Sequence, residues 1–446
     1  MSKKNVIVFL TDQQRYDTVG VHGNPDGLTP NFDRMAMDGT FVKYAFTPQP
    51  VCGPARACIQ TGKYAAKLGN YKNAVPLSAE HKTMAHYFQI AGYDTAYIGK
   101  WHLGSTRLAV PKEERGEYDY WLGAGALEAS SRPYDTVVYD QEDRAVKLPG
   151  NRMDALTDAA IRYIDGHQEK PFFLFLSFLE PHFQNSNDSF PAPFSMRQLT
   201  NSYTPPDLSA LGGTAHQHLP GYYGMVERLD QCLGRVQDAL RSLAMDQETI
   251  VVFTTDHGCH FKTRNAEYKR SCHESSIRIP MAFTGGEFTG GGTLGKLVSL
   301  VDLAPTLLDA CGIPVPEDMQ GNSLMPLIRR QPCEWPDTIL VQISESEVGR
   351  AIRTGRWKYA VTAPDCDPFN DSCSDHYVES ALYDLEEDPY ELDNLIGMAS
   401  HRQLCDILKE KLIAHMKKAG EVVPVIQNAP ERESGQRRVF PGEENQ

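Results

Sequence analysis

The sequence predicts an α/β protein built on a mostly parallel sheet that is flanked by helices. Short apolar runs that end in polar or charged residues alternate with helical patterns along most of the chain, which is typical of this fold class. The length agrees, because 446 residues with 41% hydrophobic content can bury a large core. Apolar residues spaced alternately by three and four also predict a long helix over 226–243 that packs against this core.

Four of the apolar runs are predicted strands that lead directly into chemically useful side chains. The runs occupy residues 6–10, 94–98, 172–178 and 250–254. The side chains that follow them are, in chain order, Asp12, Gln13, Lys100, His102, His182, Asp256 and His257. In open α/β sheets, ligands bind at the carboxyl ends of the strands. We therefore expect these seven side chains to meet at one edge of the sheet.

Residues 52–62 read C-G-P-A-R-A-C-I-Q-T-G and predict a short helix that begins at a cysteine. Pro54 lies where a helix can begin, and Gly62 lies where it can end. Because free backbone N–H groups and the positive end of the helix dipole meet at an N-terminus, an anion beside Cys52 would be stabilised. Arg56 follows one turn later and is expected to hold the oxygens of a group that attacks from position 52.

The C-x-P-x-R motif at 52–56, followed by Thr-Gly, resembles the signature of the type I sulfatases. G-K-W-H-L-G at 99–104 and K-R-S-C-H-E-S-S-I-R-I-P at 269–280 resemble two further elements of that family. L-Y-D-L-E-E-D-P-Y-E-L-D-N-L at 382–395 resembles a third, so that the resemblance covers nearly the whole chain. It implies an alkaline-phosphatase-like sheet flanked by helices, with a small C-terminal α+β subdomain that contains an antiparallel sheet.

The resemblance also implies two cofactors. One is a formylglycine, made by a maturation enzyme that oxidises Cys52. The other is one divalent cation, Ca²⁺ or alternatively Mg²⁺, for which carboxylate and amide oxygens are suitable ligands. The implied ligands are Asp12, Gln13, the modified Cys52, Asp256 and His257. Gln13 stands where the family usually has a second acidic ligand.

The remaining roles follow from the same resemblance. A sulfate monoester resists attack by a charged nucleophile, so a catalyst needs cations on its oxygens and an acid for the leaving alcohol. Lys100 would neutralise an oxygen of the substrate or the nucleophile, and His102 would be the base that releases sulfate. His182, in the P-H element at 181–182, and Lys269 would bind sulfate and protonate the leaving oxygen.

Composition narrows the possible partners and the location. A formal net charge of −14 argues against nucleic-acid binding. The apolar run at 6–10 is too short for a secretory or membrane-spanning segment, so we expect a cytoplasmic protein without a membrane partner. The ten cysteines have no metal-ligand or short disulfide spacing, which agrees with reduced thiols.

The pattern changes after Pro336, where a predicted hairpin around Thr354 and Gly355 and a helix near 401–418 follow. The predicted divisions are a catalytic domain over 1–345, a small C-terminal subdomain over 346–420 and a tail over 421–446.

Substrate recognition is expected from two places. The polar segment 183–220 should lie near the mouth of the site, and its lack of an extended apolar stretch favours a sulfated sugar over a steroid or simple aryl ester. Lys262, Arg264 and Arg270 should recognise a polar substrate. The sequence thus predicts a sulfatase that hydrolyses a carbohydrate sulfate monoester. A phosphonate monoester or phosphodiester hydrolase, and a non-catalytic binder of sulfated ligands, remain open alternatives.

Overall fold

The computed structural model describes residues 3–104, 108–184, 189–196, 203–290 and 292–432. The α-helices of these residues are α1 (Pro30–Asp38), α2 (Cys52–Thr61), α3 (Ala65–Leu68), α4 (Met84–Ile90), α5 (Leu127–Ser130), α6 (Arg152–Asp165), α7 (Pro206–Ala210), α8 (Ala215–Ser242), α9 (Glu274–Ile277), α10 (Leu303–Ala310), α11 (Met325–Ile328) and α12 (Arg402–Ala419). None of them combines the length and apolarity needed to cross a bilayer.

The strands form two separate sheets. In chain order they are β1 (Asn5–Thr11), β2 (Thr40–Phe46), β3 (Asp94–Lys100), β4 (Tyr120–Ala124), β5 (Thr136–Tyr139), β6 (Ala145–Leu148), β7 (Phe172–Ser177), β8 (Thr249–Thr255), β9 (Arg278–Ile279), β10 (Ala282–Thr284), β11 (Thr293–Ser299), β12 (Ile339–Ile343), β13 (Gly349–Arg353), β14 (Trp357–Thr362), β15 (His376–Asp384) and β16 (Val425–Gln427). The larger sheet has the order β11-β2-β10-β8-β1-β7-β3-β4-β5-β6, with β9 paired to β2. Its five central strands, from β8 to β4, are parallel, which confirms the predicted fold class.

The central strand β1 is buried along its whole length and contributes to a core on each face of the sheet. Ile7 and Phe9 pack with residues of α1, α6 and α8 on one face. Val6, Val8 and Leu10 pack with residues of α4 and α10 on the other. Because successive strand side chains point to opposite faces, a continuous apolar run is needed where helices cover both. Each fully buried side chain of this kind stabilises the fold by about 1.5 to 3 kcal/mol.

Parallel pairing aligns the carboxyl ends of the central strands. Leu10 of β1 pairs with Ser177 of β7, and Thr11 of β1 pairs with Thr255 of β8. Gly99 of β3 has a φ of 110°, and a Cβ there would lie 1.8 Å from the Ser177 carbonyl oxygen. Only glycine permits this close approach, which brings the following lysine to the same edge. The predicted meeting of polar side chains therefore has a structural basis.

The long helix predicted over 226–243 is confirmed as α8, which starts earlier than the pattern indicates. Proline removes a backbone donor and usually ends a helix, yet Pro220 lies inside α8. Leu219, Tyr222 and Tyr223 are buried in the core around it and hold this first part of the helix in place. The polar segment expected over 183–220 is therefore partly helical, while its residues 185–188 and 197–202 lie outside the described residues.

The smaller sheet has the order β12-β13-β14-β15-β16 and is antiparallel except for its last pair. The predicted hairpin is present as β13 and β14, which pair Arg353 with Lys358. The predicted helix is α12, which buries Leu408 and Leu412 against this sheet.

The smaller sheet extends beyond the predicted 346–420 subdomain at both ends. Its first strand, β12, precedes residue 346, and its last, β16, lies in the segment expected to be a tail over 421–446. The edge strand β16 has three residues and buries one side chain, that of Ile426. So short a strand has too little alternation of apolar and polar residues to be detected from sequence. Residues 433–446 lie outside the described residues.

Candidate active site

Four buried side chains form what we call the ligand cluster, namely Asp12, Cys52, Asp256 and His257. One donor atom from each lies within 4.8 Å of the others. Cys52 Sγ is 3.7 Å from Asp12 Oδ1 and 3.3 Å from His257 Nε2. His257 Nδ1 donates to the Gly258 carbonyl, so Nε2 presents its lone pair to the cluster. Two carboxylates and an imidazole lone pair in this arrangement fit a divalent cation.

The sheet and one helix create this cluster from distant parts of the chain. Asp12 follows β1 and Asp256 follows β8, and the two strands are parallel neighbours. Cys52 is the first residue of α2, and Gly62 ends that helix in the left-handed conformation, with a φ of 67°. The predicted helix limits are therefore confirmed, and the cysteine lies where backbone N–H groups are free to face an anion.

Gln13 lies beside the cluster and makes contacts that the sequence did not predict. Its backbone N–H donates to Asp256 Oδ1 at 3.1 Å. Its side-chain Oε1 accepts from Lys269 Nζ at 3.5 Å, and its Nε2 donates to the Cys259 sulfur. The amide oxygen thus faces the lysine. The backbone of Gln13 has a φ of 67°, which is unusual for a residue other than glycine.

Lys269 contacts the cysteine sulfur directly. Its Nζ lies 2.7 Å from Cys52 Sγ and 3.0 Å from His182 Nε2. His182 Nδ1 donates to the Phe183 carbonyl at 2.5 Å, which leaves Nε2 as the acceptor towards the lysine. An amine and an imidazole therefore face the space above Cys52 together.

His102 lies on the same side of Cys52 and has a φ of 59°. Its backbone N–H donates to the Gly125 carbonyl at 2.7 Å, and its side chain lines the same cavity as Cys52. Its Nδ1 is buried and has no hydrogen-bond partner among the described residues. A hydrogen bond from the His102 side chain also lowers the pKa of the Cys52 thiol, so the imidazole lies within reach of position 52.

The side chains around position 52 outweigh the effect of burial on the pKa of Cys52. Burial alone raises the pKa of the Cys52 thiol, but Lys100, Lys269 and His257 together hold that pKa well below its usual value. A negative charge at this position is thus strongly stabilised. The same surroundings suit the oxygens of an anionic substrate, which would otherwise be repelled by a protein of net charge −14.

The two carboxylates of the cluster differ in their electrostatic environment. Burial and Cys52 raise the pKa of Asp12, but Lys100, His182 and Arg56 more than offset them and hold it below its usual value. Burial and the nearby Asp12 raise the pKa of Asp256. The two carboxylates therefore lie in different electrostatic surroundings, beside the space in which a cation would lie.

Arg56 occupies a different position from the one expected. Its Nη2 donates to Asp12 Oδ2 at 2.9 Å, and its Nε donates to Asp256 Oδ2 at 3.0 Å. Its Nη1 donates to Ser177 Oγ and to the Lys100 carbonyl. The guanidinium thus donates to four acceptors behind the cluster and does not line the cavity. It therefore contacts both carboxylates of the ligand cluster.

Lys100 is also fully buried and paired. Its Nζ lies 2.8 Å from Asp12 Oδ2 and 3.2 Å from Glu128 Oε1. Burial is again offset, since Asp12, Cys52 and Glu128 raise the pKa of this lysine above its usual value. Glu128 was not expected from the sequence analysis. The signal was available, because Glu128 closely follows the buried strand β4, and side chains at strand ends tend to face the site.

A cavity of about 530 Å³ opens above Cys52. Lys262 and Arg270 line it, as expected, whereas Arg264 instead donates to the carbonyls of Tyr390 and Glu391. Within the described part of 183–220, the cavity is lined by Phe183. Most of its outer wall consists of residues that the sequence analysis did not single out, among them Asn73, Ala74, Ala126, Glu128, Ala129 and Glu267.

The C-terminal subdomain holds the loop that carries Lys269. Lys358 of β14 lies 2.9 Å from Glu274 Oε1 and 2.5 Å from Glu391 Oε1, and all three side chains are buried. Glu391 also accepts from the Glu274 backbone N–H. Because buried charges are stable only when paired, this network fixes the loop between Arg264 and Glu274.

Comparisons with known proteins agree with this geometry. The sequence matches the family model described as Sulfatase over residues 4–313, which is more than half of the chain. A second family model, described as N-sulphoglucosamine sulphohydrolase, C-terminal, matches residues 266–418.

Individual relatives match along most of the chain. An ulvan-active sulfatase of Formosa agariphila is 30% identical over 439 residues, covering 94% of this chain and 82% of the relative. An N-acetylglucosamine-6-O-sulfatase of Bacteroides thetaiotaomicron is 25% identical, covering 92% and 86%. A structure solved in complex with its substrate, D-glucosamine-2-N,6-O-disulfate, shares the fold with a TM-score of 0.78, at 24% identity and with coverage of 94% and 98%. The chain therefore belongs to the sulfatase family of the alkaline phosphatase superfamily and is a sulfuric ester hydrolase.

Proposed function

We propose that this sulfatase removes sulfate from a carbohydrate, using a formylglycine made from Cys52 and one divalent cation. The observation that carries the proposal is the position of Cys52, which lies between the buried ligand cluster and Lys269 at the floor of a polar cavity. A maturation enzyme would convert the cysteine. The names of the two relatives, which refer to ulvan and to N-acetylglucosamine, support a carbohydrate substrate.

A formylglycine and a divalent cation would supply the reactive oxygen and a positive charge. A formylglycine at position 52 would provide a hydrated aldehyde as the nucleophile, and a divalent cation would neutralise the oxygens beside it. Asp12, Asp256, His257 and the residue at position 52 would hold the cation, with Gln13 as a further oxygen donor. We propose Ca²⁺, with Mg²⁺ as the alternative, because the donors are mainly oxygens.

We expect removal of the cation to lower both activity and stability. Chelation should reduce kcat at least about tenfold, because a cation on the oxygens contributes several kcal/mol to catalysis. It should also lower the thermal unfolding midpoint, since a ligand that binds only the folded state stabilises it. Activity would be measured after chelation and again after Ca²⁺ or Mg²⁺ is restored. Full activity in protein with less than about a tenth of an equivalent of bound metal would contradict the assignment.

Lys269 and His182 would act on the substrate side. The Lys269 ammonium lies within hydrogen-bond distance of both position 52 and His182 Nε2, so it can hold a sulfate oxygen between them. A proton from His182 or Lys269 would then pass to the oxygen of the leaving alcohol. His102, whose Nδ1 has no partner among the described residues, would take a proton from the group at position 52 when sulfate is released.

This assignment predicts a leaving-group effect for His182→Ala. We expect kcat/KM for a sugar sulfate, whose alcohol is a poor leaving group, to fall by about 10² to 10⁴. For 4-nitrophenyl sulfate, whose phenolate needs no proton, the loss should be at least about tenfold smaller. Both are measured on the same protein preparation, with Arg144→Met, an exposed residue outside the cavity, as the control. Equal losses on the two substrates would show that His182 only binds sulfate.

The substrate class is tested with a panel of sulfated monosaccharides and disaccharides, assayed for free sulfate. We expect at least one sugar sulfate to be hydrolysed with a higher kcat/KM than 4-nitrophenyl sulfate. Phosphate and phosphonate monoesters and phosphodiesters are measured beside them. A preference for phosphorus esters would favour the alternative hydrolase, and an unmodified Cys52 in active-site peptides would favour a non-catalytic binder.

A further inference from the structure

We propose that Glu128 is a specificity-determining residue that accepts a hydrogen bond from a donor group of the substrate next to the scissile sulfate. This inference rests on the carbohydrate sulfatase function proposed above. The complementary groups are a hydroxyl, an amide N–H or an ammonium on the sugar carbon beside the sulfate-bearing position.

One carboxylate oxygen of Glu128 accepts a hydrogen bond, and the other has no partner among the described residues. The short helix α5 places the residue in the cavity wall, with its side chain 18% exposed. Its Oε1 accepts from Lys100 Nζ at 3.2 Å. Its Oε2 is buried and has no hydrogen-bond partner among the described residues. The carboxylate therefore has a free acceptor within the wall of the cavity that contains Cys52.

Pairing with Lys100 does not account for that second oxygen. Lys100 is already paired with Asp12 at 2.8 Å, so it does not require another carboxylate to be stable. A buried, ionised oxygen without a partner is unfavourable, and native proteins keep such atoms where a ligand or another group completes the hydrogen bond. A substrate donor that enters the cavity is able to do so.

The charges around Glu128 define what it can recognise. Although burial raises its pKa, Lys100, His102 and His182 lower the pKa further, to about 2. The carboxylate is thus ionised at neutral pH and can only accept hydrogen bonds. Glu128 lines the same cavity as Cys52, His102 and His182, beside the space that the sulfate would occupy. A carboxylate or second sulfate on the neighbouring sugar carbon would be repelled, whereas a hydroxyl or amine donor is attracted.

The experiment compares Glu128→Gln with the wild-type enzyme on matched substrates. The substrates are the best-cleaved monosaccharide sulfate and analogues in which each hydroxyl or amine next to the sulfate is removed in turn. In the wild type, loss of the recognised donor should lower kcat/KM by about ten- to hundredfold. In the variant, the kcat/KM values for the full substrate and for the analogue without this donor should differ by less than about threefold. Glu267→Gln, which alters another carboxylate of the cavity wall, is the control and should keep the wild-type ratio.

The comparison of ratios separates recognition from a structural effect. If Glu128 only supported Lys100, the variant would lose activity on all substrates by the same factor and keep the wild-type ratio, which would overturn the inference. Thermal unfolding checks that the variant is folded. Absence of turnover with every sugar sulfate would overturn both this inference and the proposed carbohydrate function. Turnover of sugar sulfates with an unchanged ratio in the variant would overturn the role of Glu128 alone.

Discussion

Replacement of Cys52 by alanine or serine should reduce kcat by a factor on the order of 10⁴ to 10⁶, the size of effect expected when a nucleophile is removed. Neither side chain provides an aldehyde hydrate between Lys269 and the ligand cluster. The fold should persist, because Cys52 is the first residue of α2 and its sulfur contacts side chains of the site, namely Asp12, His257 and Lys269. Turnover of a sugar sulfate and thermal unfolding would be measured together.

Cys58 offers a matched control in the same helix. It is also a buried cysteine, but it packs in the core shared with the smaller sheet, away from the cavity. We expect Cys58→Ala to keep kcat within about threefold while it lowers stability by about 1 kcal/mol, a typical effect of a single substitution. Mass spectrometry of the peptide around Cys52, from cells able to mature it, should show sulfur replaced by oxygen. Undiminished turnover by Cys52→Ala would refute the nucleophile assignment.

Replacement of Arg56 by methionine should destabilise the protein by about 3 to 5 kcal/mol, because it removes one partner of a buried ion pair. Arg56 is 2% exposed and donates to both Asp12 and Asp256. Without it, two buried carboxylates would face each other across the ligand cluster. Chemical denaturation in the presence and absence of the divalent cation would measure the change, and the loss should be larger without the cation.

Arg144 provides the comparison for an exposed arginine. Its side chain is 72% exposed and pairs with Asp140 and Glu142. Exposed pairs of this kind contribute little because water and salt screen them, so Arg144→Met should leave the stability nearly unchanged. If Arg56→Met and Arg144→Met changed the free energy of unfolding equally, the Arg56 guanidinium would not be what stabilises the two carboxylates of the ligand cluster.

Much of the site could be predicted because its signals are local. Alternating apolar runs indicate strands, and polar residues at strand ends indicate the edge where a ligand binds. Asp12, Asp256 and His257 were expected to meet on this basis, and they lie together with Cys52. Lys269, in contrast, lies in a loop without periodicity, and only the resemblance to the sulfatases indicated it.

Other features depend on contacts between distant segments, which no local pattern contains. Arg56 was expected to face the attacking oxygens, but the carboxylates that follow β1 and β8 surround its guanidinium instead. Glu128 reaches the site because β3 and β4 are parallel neighbours. The edge strand β16 joins the smaller sheet by pairing with β15, across more than forty residues of chain.

The amino-acid order by itself determined the α/β class, the helix that starts at Cys52 and the polar ends of the central strands. Each of these follows from side-chain periodicity and from helix start and stop signals over a few residues. Only the tertiary structure decided which cations face the cavity and which are engaged behind it. That division separates Lys269 and Lys262 from Arg56 and Lys100, and it depends on distances between strands, helices and loops that only folding brings together.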